Sequence, residues 1–290
     1  MLKSGVSVLD VALPEGVPRR AFIVVGGEAG TGKTVLLTEL AWRALERGEH
    51  VIYAILENDP LAVLTRFKRL KWNLDPYIKK EKFTIFDGFS HILNETLRKR
   101  KKITSPRDDM LRNCVTRFDP TRMTTVVDAF YSVLEASQDL GEEAFVVFDS
   151  LTELFSLLAG ETFFDTLKQL RAMTLRAAAP FICAAHYGVV EKFPSTISYL
   201  ADGLIDLRFQ PQLMQQGILV KQIRIRRMSG VKSFPIWLTF DVEHGQGIVL
   251  TLDYARKIQE EMKRILYDMG LTPGDLRSPE LPPESEDGVS

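Results

Sequence analysis

The sequence has few cysteines, no long apolar run and almost no excess charge of either sign. Only Cys114 and Cys183 occur in 290 residues, and their separation fits no metal-ligand spacing. Two unpaired thiols in a reducing compartment are therefore expected. No apolar run approaches the ~20 residues that a membrane-spanning helix needs. No signal peptide is visible at the N-terminus, so a cytoplasmic protein without membrane contact is expected.

The charge balance excludes a strongly basic nucleic-acid binder. The formal net charge is −1, which gives no overall attraction to nucleic acid or to an anionic membrane. One local exception is residues 97–102, Leu-Arg-Lys-Arg-Lys-Lys, followed by polar residues to about Pro120. A solvated helix end and loop is favoured there over contact with nucleic acid or an acidic partner, and the role of residues 97–120 stays open.

Strand-like and helix-like segments alternate through most of the chain. This order predicts an α/β fold with a mostly parallel central sheet and helices on both faces. Strands are predicted at residues 21–25, 50–56, 83–86, 144–148 and 181–185, and helices at residues 34–47, 60–70 and 164–177.

The pattern changes near residue 203. Successive short strands are predicted at residues 203–209, 217–226, 236–240 and 247–251, forming an antiparallel C-terminal extension of the sheet. Residues 1–252 are expected to form one domain, and residues 253–276 to contain a closing amphipathic helix over 253–269. Residues 277–290 are rich in proline and acidic side chains and are expected to be disordered.

A phosphate-binding motif occupies residues 27–34. They read Gly-Glu-Ala-Gly-Thr-Gly-Lys-Thr and match G-x-x-x-x-G-K-[ST] at every fixed position, between a predicted strand and a predicted helix. Glycines let the backbone wrap around a phosphate, and the helix adds the positive end of its dipole. Lys33 is expected to reach the β- and γ-phosphates, and the Thr34 hydroxyl to ligate Mg²⁺. The predicted nucleotide-binding residues are Gly27, Glu28, Ala29, Gly30, Thr31, Gly32, Lys33, Thr34 and Val35.

Two acidic residues follow predicted strands. Asp149 comes directly after the apolar run 145–148, at the strand end where ligands bind in such sheets, so it is expected to hold the Mg²⁺. The alternative is a cap on the following helix. Glu57 directly follows another strand, and a carboxylate there can accept the proton of a water aligned with the γ-phosphate. Its alternative is an exposed loop glutamate.

From about Gly5 to about Leu252 the chain resembles the KaiC/RadA branch of the RecA-like ATPases. Residues 5–10, Gly-Val-Ser-Val-Leu-Asp, resemble the branch's G-x-x-x-L-D segment ahead of the P-loop. Residues 148–154 resemble its Walker B segment, and residues 200–205 its late A-D-G segment. The resemblance implies a single RecA-like P-loop NTPase domain that binds ATP or ADP with Mg²⁺. In such relatives the ATP lies between neighbouring subunits of a ring or filament.

The resemblance also implies roles for Glu57 and His186. Glu57 matches the first glutamate of the family's Phe-Glu-Glu, whereas Asn58 replaces the second. His186 falls where RecA relatives keep a polar residue that senses the γ-phosphate, and a structural hydrogen bond is the equal alternative.

Residues 224–230, Arg-Ile-Arg-Arg-Met-Ser-Gly, resemble the K-x-R-G-like segment with which relatives complete a neighbour's site. Aligned on the glycine, Arg227 replaces the lysine, but Ser229 stands where the arginine belongs. A shifted register offers Arg224 and Arg226 instead, which lie on one face of a strand. Because an arginine in trans can raise the rate by orders of magnitude, this ambiguity bears on hydrolysis and not on ATP binding.

Three functions follow from these observations. The leading one is a Mg²⁺-dependent ATPase acting as a homo-oligomer such as a hexamer, with Lys33, Glu57 and Asp149 as catalytic residues. The second is a regulatory ATP/ADP-binding module with little turnover, which Asn58 and Ser229 favour. The third, a recombinase-like DNA-binding ATPase, is not favoured, because the candidate loop from Tyr187 to Tyr199 contains one basic residue.

Overall fold

The computed structural model describes residues 1–92, 113–139, 143–158, 160–192, 197, 199–251 and 267. Residues 1–250 form one compact unit and residues 251–290 another. None of the helices in the described ranges is long and apolar enough to cross a membrane.

The described strands build one sheet of ten, in the order β10-β9-β8-β7-β1-β6-β5-β2-β3-β4. From β7 to β4 all neighbours are parallel, whereas β8, β9 and β10 each run antiparallel to the preceding strand. The strands are β1 Phe22–Gly27, β2 His50–Ile55, β3 Phe83–Asp87, β4 Val115–Arg117, β5 Ala144–Asp149, β6 Phe181–His186, β7 Gly203–Phe209, β8 Lys221–Met228, β9 Leu238–Glu243 and β10 Gly247–Leu250.

Helices connect the parallel strands, as crossover connections require. In chain order the described α-helices are α1 Ser7–Ala12, α2 Lys33–Glu46, α3 Pro60–Arg69, α4 Asp75–Lys79, α5 Met123–Asp139, α6 Leu151–Leu157, α7 Gly160–Ala177, α8 Tyr187–Lys192 and α9 Pro211–Gln215. A short 3₁₀ helix spans Phe89–Ile92.

Apolar side chains fill both faces of the sheet. On β5, Phe145 and Val147 join the cluster that contains the buried side chains of α2 and α3. Val146 and Phe148, which point to the opposite face, join the cluster that contains those of α5, α6 and α7. A strand buried on both faces has no polar alternation, which explains its continuous apolar sequence.

The predicted α/β class, the mostly parallel sheet and the antiparallel C-terminal strands are confirmed. The sequence-based placement differs in its details after residue 203. β7 runs parallel to β1, so the antiparallel part begins only at β8. The predicted strand 217–226 is also shifted: Gly217 follows α9 in a left-handed turn with φ +77°, and the strand starts at Lys221.

Several described helices were not predicted from the sequence, among them α5 and α9. In α5, Val126, Phe130 and Leu134 are buried at a spacing of four residues, which is the helical signal that should have revealed it. The helix α9 is short and fully solvent-facing, because none of its residues is buried.

The basic segment at residues 97–102 lies outside the described residues. Further along, Cys114 and Phe118 are buried and frame the edge strand β4, so this end of the supposed polar segment belongs to the sheet. Both cysteines are buried, and neither forms a disulfide within the described residues. The expected closing helix at 253–269, apart from Tyr267, and the expected tail at 277–290 also lie outside the described residues.

Candidate nucleotide site

The loop at residues 27–34 joins the end of β1 to the start of α2. Gly30 and Gly32 adopt left-handed backbone angles, with φ +77° and +104°, which side-chain-bearing residues rarely take. At position 27 a side chain is excluded by the neighbouring strand. A Cβ on Gly27 would lie 2.7 Å from the carbonyl oxygen of Leu207 on β7. The buried Thr31 closes the loop by donating from Oγ1 to the carbonyl oxygen of Glu28 at 2.8 Å. The observed cradle therefore depends on the glycines that the motif supplies.

The Lys33 ammonium is bound by the loop itself. Nζ donates to the carbonyl oxygens of Gly27 at 2.9 Å and of Glu28 at 2.8 Å. Burial lowers the pKa of Lys33, and the negative charges of Glu57, Asp149 and Glu28 oppose this shift. A phosphate entering the loop offers oxygens that can replace these carbonyls as acceptors.

Thr34 and Asp149 are brought together although they are far apart in the chain. Thr34 lies in the first turn of α2 and Asp149 ends β5, and the Thr34 side chain is close enough to Asp149 to lower the pKa of its carboxyl. Asp149 is 4% exposed. Burial raises its pKa to about 6, with Glu57 acting in the same direction and Arg66, the Thr34 hydrogen bond and Lys33 opposing. The peptide bond from Asp149 to Ser150 is cis.

These donors fit Mg²⁺. A hydroxyl and a carboxylate are the hard oxygen ligands that this ion prefers. Within the described ranges, no group of three or more His, Cys, Asp or Glu side chains could hold a metal. An ion at Thr34 and Asp149 would therefore take its other ligands from phosphate and water, which is the usual arrangement for Mg²⁺ beside a nucleotide.

Glu57 lies beside this pair, held by a residue that the sequence did not single out. It follows β2, which is in register with β5 so that Ile55 pairs with Asp149. Ser150 donates from Oγ to Glu57 Oε1. Glu57 is itself exposed, so its other carboxylate oxygen faces solvent or a ligand. The only sequence signal for Ser150 is its place directly after Asp149.

His186 ends β6 at the same edge of the sheet, in register with Gly27 of β1. Its backbone N–H donates to Thr152 Oγ1 at 2.8 Å, and its Nδ1 accepts from the N–H of Gly188 at 3.2 Å. The residue is exposed. The structure thus places His186 beside the P-loop, with its Nδ1 bound by the backbone N–H of Gly188.

The candidate in-trans arginines gather on β8. Arg224 and Arg226 both bind Asp206 of β7, with their Nη2 atoms 2.8 and 2.6 Å from its carboxylate oxygens. The Asp206 side chain is 3% exposed, whereas the two arginines are 31% and 41% exposed. Arg227 is separate and donates to the carbonyl oxygen of Ala201 at 2.5 Å. The sequence signal that could have revealed Asp206 as the partner of Arg224 and Arg226 is its position as a single aspartate within the apolar run 204–207.

Comparison with known proteins gives the family. A sequence model of the family described as ATPase: KaiC matches residues 2–254. A UPF0273 protein of Aeropyrum pernix is 25% identical over 80% of this chain and 86% of its own length. A UPF0273 protein of Thermotoga maritima is 35% identical, but the match covers 38% of this chain and 45% of that protein.

A solved structure supports the fold. The crystal structure of a KaiC-like protein from the hyperthermophilic archaeon Pyrococcus horikoshii superposes with a TM-score of 0.62, at 20% identity, over 86% of this chain and 98% of that one. At 20% identity, this structural similarity supports the fold and no more. The family match covers residues 2–254, so the predicted resemblance extends over the whole described sheet. The chain belongs to the KaiC family of ATPases, with a RecA-like fold.

Proposed function

We propose that this protein is a Mg²⁺-dependent ATPase that works as a homo-oligomer. The observation that carries the proposal is the meeting of Lys33, Thr34, Asp149 and Glu57 at one edge of the sheet. Each belongs to a different part of the phosphate chemistry. Residues 27–35 would hold the phosphates of ATP or ADP through the loop backbone and the start of α2.

The roles follow from the contacts. Lys33 would exchange its two carbonyl acceptors for β- and γ-phosphate oxygens, which places a positive charge where negative charge develops. Thr34 and Asp149 would hold Mg²⁺, which when bound neutralises phosphate charge and orients the γ-phosphate. His186 would contact the γ-phosphate side of the site, since its strand end neighbours Gly27.

Glu57 would accept the proton of the attacking water. As the water oxygen bonds to the γ-phosphorus, the bond from that phosphorus to the bridging oxygen breaks, and ADP and phosphate result. Ser150 occupies Oε1 of Glu57, which leaves Oε2 to take the proton. A carboxylate held in this way loses less freedom when the water is positioned.

A regulatory module with little turnover is the second candidate. Two observations favour it: Asn58 stands in place of a second acid, and Arg224 and Arg226 are both engaged by Asp206 of their own chain. The two arginines keep partial exposure and could still reach a neighbour's phosphate in an oligomer, so they remain the proposed in-trans residues, with Arg227 as a third.

Turnover of ATP by the purified protein with Mg²⁺ separates the two functions. Lys33→Ala should lose both ATP binding and turnover. Glu57→Gln should bind ATP but hydrolyse it at least about a hundredfold more slowly, as expected for loss of a general base. Glu135→Gln, an exposed carboxylate on α5, is the matched control and should behave as the unaltered protein. Tight binding without turnover in the unaltered protein would contradict the ATPase and favour the regulatory module.

A further inference from the structure

Trp237 lies against two arginines, Arg208 of β7 and Arg224 of β8. This partly buried residue directly precedes β9, and the centre of its indole ring lies 3.8 Å from Cζ of Arg208 and 4.5 Å from Cζ of Arg224. Both distances are within the ~6 Å at which a ring face attracts a cation. Arg224 is one of the proposed in-trans residues, whereas the sequence did not single out Arg208 or Trp237. These three residues are called the arginine clamp below.

A hydrogen bond holds each guanidinium of the clamp in a second direction. Arg208 donates from Nε to Gln222 Oε1 at 3.1 Å, and Arg224 donates from Nη2 to Asp206 Oδ2 at 2.8 Å. Both pairs lie directly opposite one another in the register of β7 and β8. A planar guanidinium that is bonded at its edge and stacked on its face has little freedom left. Little side-chain entropy is therefore lost when an anion binds it.

The clamp holds more positive charge than the nearby carboxylate balances. Asp206 already pairs with both Arg224 and Arg226, and among the described residues Arg208 forms no ion pair. Burial and the nearby charge of Arg224 lower the pKa of Arg208, and Tyr187 and Asp206 only partly offset this. Two like charges that share one ring repel each other. An anion bound by both arginines would relieve this repulsion, so the arrangement fits an anion-binding site.

The clamp faces away from the P-loop helix of its own chain. Leu207, Ile223 and Ile225 pack in the cluster on the α2 side of the sheet. Because side chains alternate along a strand, Arg208 and Arg224 lie on the opposite side. The bond to β8 also directs the Arg208 guanidinium away from β1, the strand that leads into the P-loop. Since both arginines are partly exposed, they can bind an anion that comes from outside the chain.

We propose that the arginine clamp binds the phosphates of a nucleotide held by a neighbouring copy of this chain, with Trp237 as the positioning residue for both arginines. This inference rests on the proposed function, and it adds Arg208 to the residues proposed to act in trans. The fork of a guanidinium matches phosphate oxygens, which it can bind through two parallel hydrogen bonds. Positive charge beside the γ-phosphate stabilises the charge that develops as the bond to the bridging oxygen breaks.

Mg²⁺-dependent ATP turnover by the full chain tests the clamp. Trp237→Leu removes the ring face and should lower turnover about tenfold, because both arginines lose their orientation. Trp237→Phe keeps a ring face and should recover most of that loss. Arg208→Gln should lower turnover at least about tenfold, as expected for an arginine in trans. Tyr131→Leu, which removes the ring that Arg176 approaches to 6.0 Å, is the matched control and should leave turnover unchanged.

Mixing each variant with Lys33→Ala shows on which chain the clamp acts. In a mixed oligomer, a Trp237→Leu chain brings an intact P-loop and a Lys33→Ala chain brings an intact clamp. When equal amounts exchange subunits at random, about a quarter of the sites combine the two, so turnover should reach about a quarter of that of the unaltered protein. Neither a clamp that acts on its own chain's nucleotide nor a substitution that damages its own P-loop would be rescued in this way.

Each contrary result overturns the inference. Unchanged turnover in Trp237→Leu and Arg208→Gln would show that the clamp does not act on the nucleotide. Equal turnover in Trp237→Phe and Trp237→Leu would assign the effect to side-chain volume, and a lack of rescue by Lys33→Ala would exclude action in trans. If urea denaturation shows that Trp237→Leu does not fold, Arg208→Gln decides by the same two measurements. Loss of single-stranded oligonucleotide binding in Arg208→Gln, with turnover unchanged, would assign the clamp to nucleic acid.

The inference and the proposed function fail in different ways. If the unaltered protein binds ATP without turnover, the dissociation constant of ATP takes the place of turnover. It should rise about tenfold in Trp237→Leu and recover in part in the mixture with Lys33→Ala, whereas an unchanged constant would overturn the inference. A failure of the unaltered protein to bind ATP at all would contradict the proposed function, and it is seen before any substitution is made.

Discussion

Ser150 donates a hydrogen bond from Oγ to Oε1 of Glu57, across 93 positions of sequence. Ser150, which follows Asp149 at the end of β5, thus holds the carboxylate of Glu57, which follows β2. Because these strands are neighbours in the sheet, the end of β5 positions both Asp149, the proposed magnesium ligand, and Glu57, the proposed base. This contact makes a specific prediction about catalysis.

Ser150→Ala should lower ATP turnover about tenfold while ADP affinity stays within about twofold, because Glu57 loses its orientation and keeps its chemistry. The measurement is steady-state turnover together with calorimetric ADP binding. Ser156→Ala on α6 removes a hydroxyl that donates to the carbonyl oxygen of Thr152, and is the control. Equal turnover in the two variants would show that the Ser150 contact has no catalytic role.

Asp206→Asn should reduce the free energy of unfolding by roughly 2–4 kcal/mol, somewhat less than the ~3–5 kcal/mol for breaking a fully buried ion pair, because both arginines are partly exposed. The aspartate is buried and accepts from both Arg224 and Arg226, so its loss removes a carboxylate that the two guanidiniums share. Urea denaturation of both proteins measures this difference. As a control, Asp165→Asn breaks an exposed pair with Lys168 and should cost less than about 1 kcal/mol.

Glu39 should make stability depend on pH. This buried carboxylate on α2 accepts from the N–H of Ile248 on β10, and burial raises its pKa to about 7 from an ordinary value of 4.5. The folded state therefore holds the proton more tightly than the unfolded state. The contribution of Glu39 to stability is fully present below pH 4.5 and is lost as the pH rises to about 7.

Denaturation of the unaltered protein and of Glu39→Gln at several pH values isolates this effect. The free energy of unfolding of the unaltered protein, relative to the variant, should fall by roughly 2–3 kcal/mol across that range. A difference that does not change with pH would mean that the pKa of Glu39 is the same in the folded and unfolded states. A difference that grows as the pH rises would contradict the sign of the shift.

If a neighbouring subunit completes the site, two inactive variants should restore activity when mixed. Lys33→Ala lacks the phosphate-binding lysine, and Arg226→Ala lacks the proposed in-trans arginine. In a mixed homo-oligomer some sites combine an intact Lys33 from one chain with an intact Arg226 from the next, and these should hydrolyse ATP. Turnover of the mixture, after exchange of subunits, is compared with that of each variant alone. Activity no greater than the sum of the two would argue against an arginine in trans.

Much of the fold could be predicted, because its signals are local. The strands at residues 21–25, 50–56, 144–148 and 181–185 were expected within about two residues of the observed β1, β2, β5 and β6, since a strand buried on both faces needs an uninterrupted apolar run. The strand β8, of which only part is buried, was misplaced by several residues. Its Arg224, Ile225, Arg226 and Arg227 carry no such run, and its start depends on pairing with β7.

The sequence by itself determined the phosphate loop. A strand, a loop that depends on three glycines and a helix start lie within one short segment, so their chemistry can be recognised without knowing the rest of the chain. Only the tertiary structure decided that Ser150 meets Glu57, that Arg66 donates to Tyr53, and that Arg224 and Arg226 share Asp206. These contacts join residues from different strands and helices. Their existence depends on strand order and register, which long-range packing selects and local sequence does not encode.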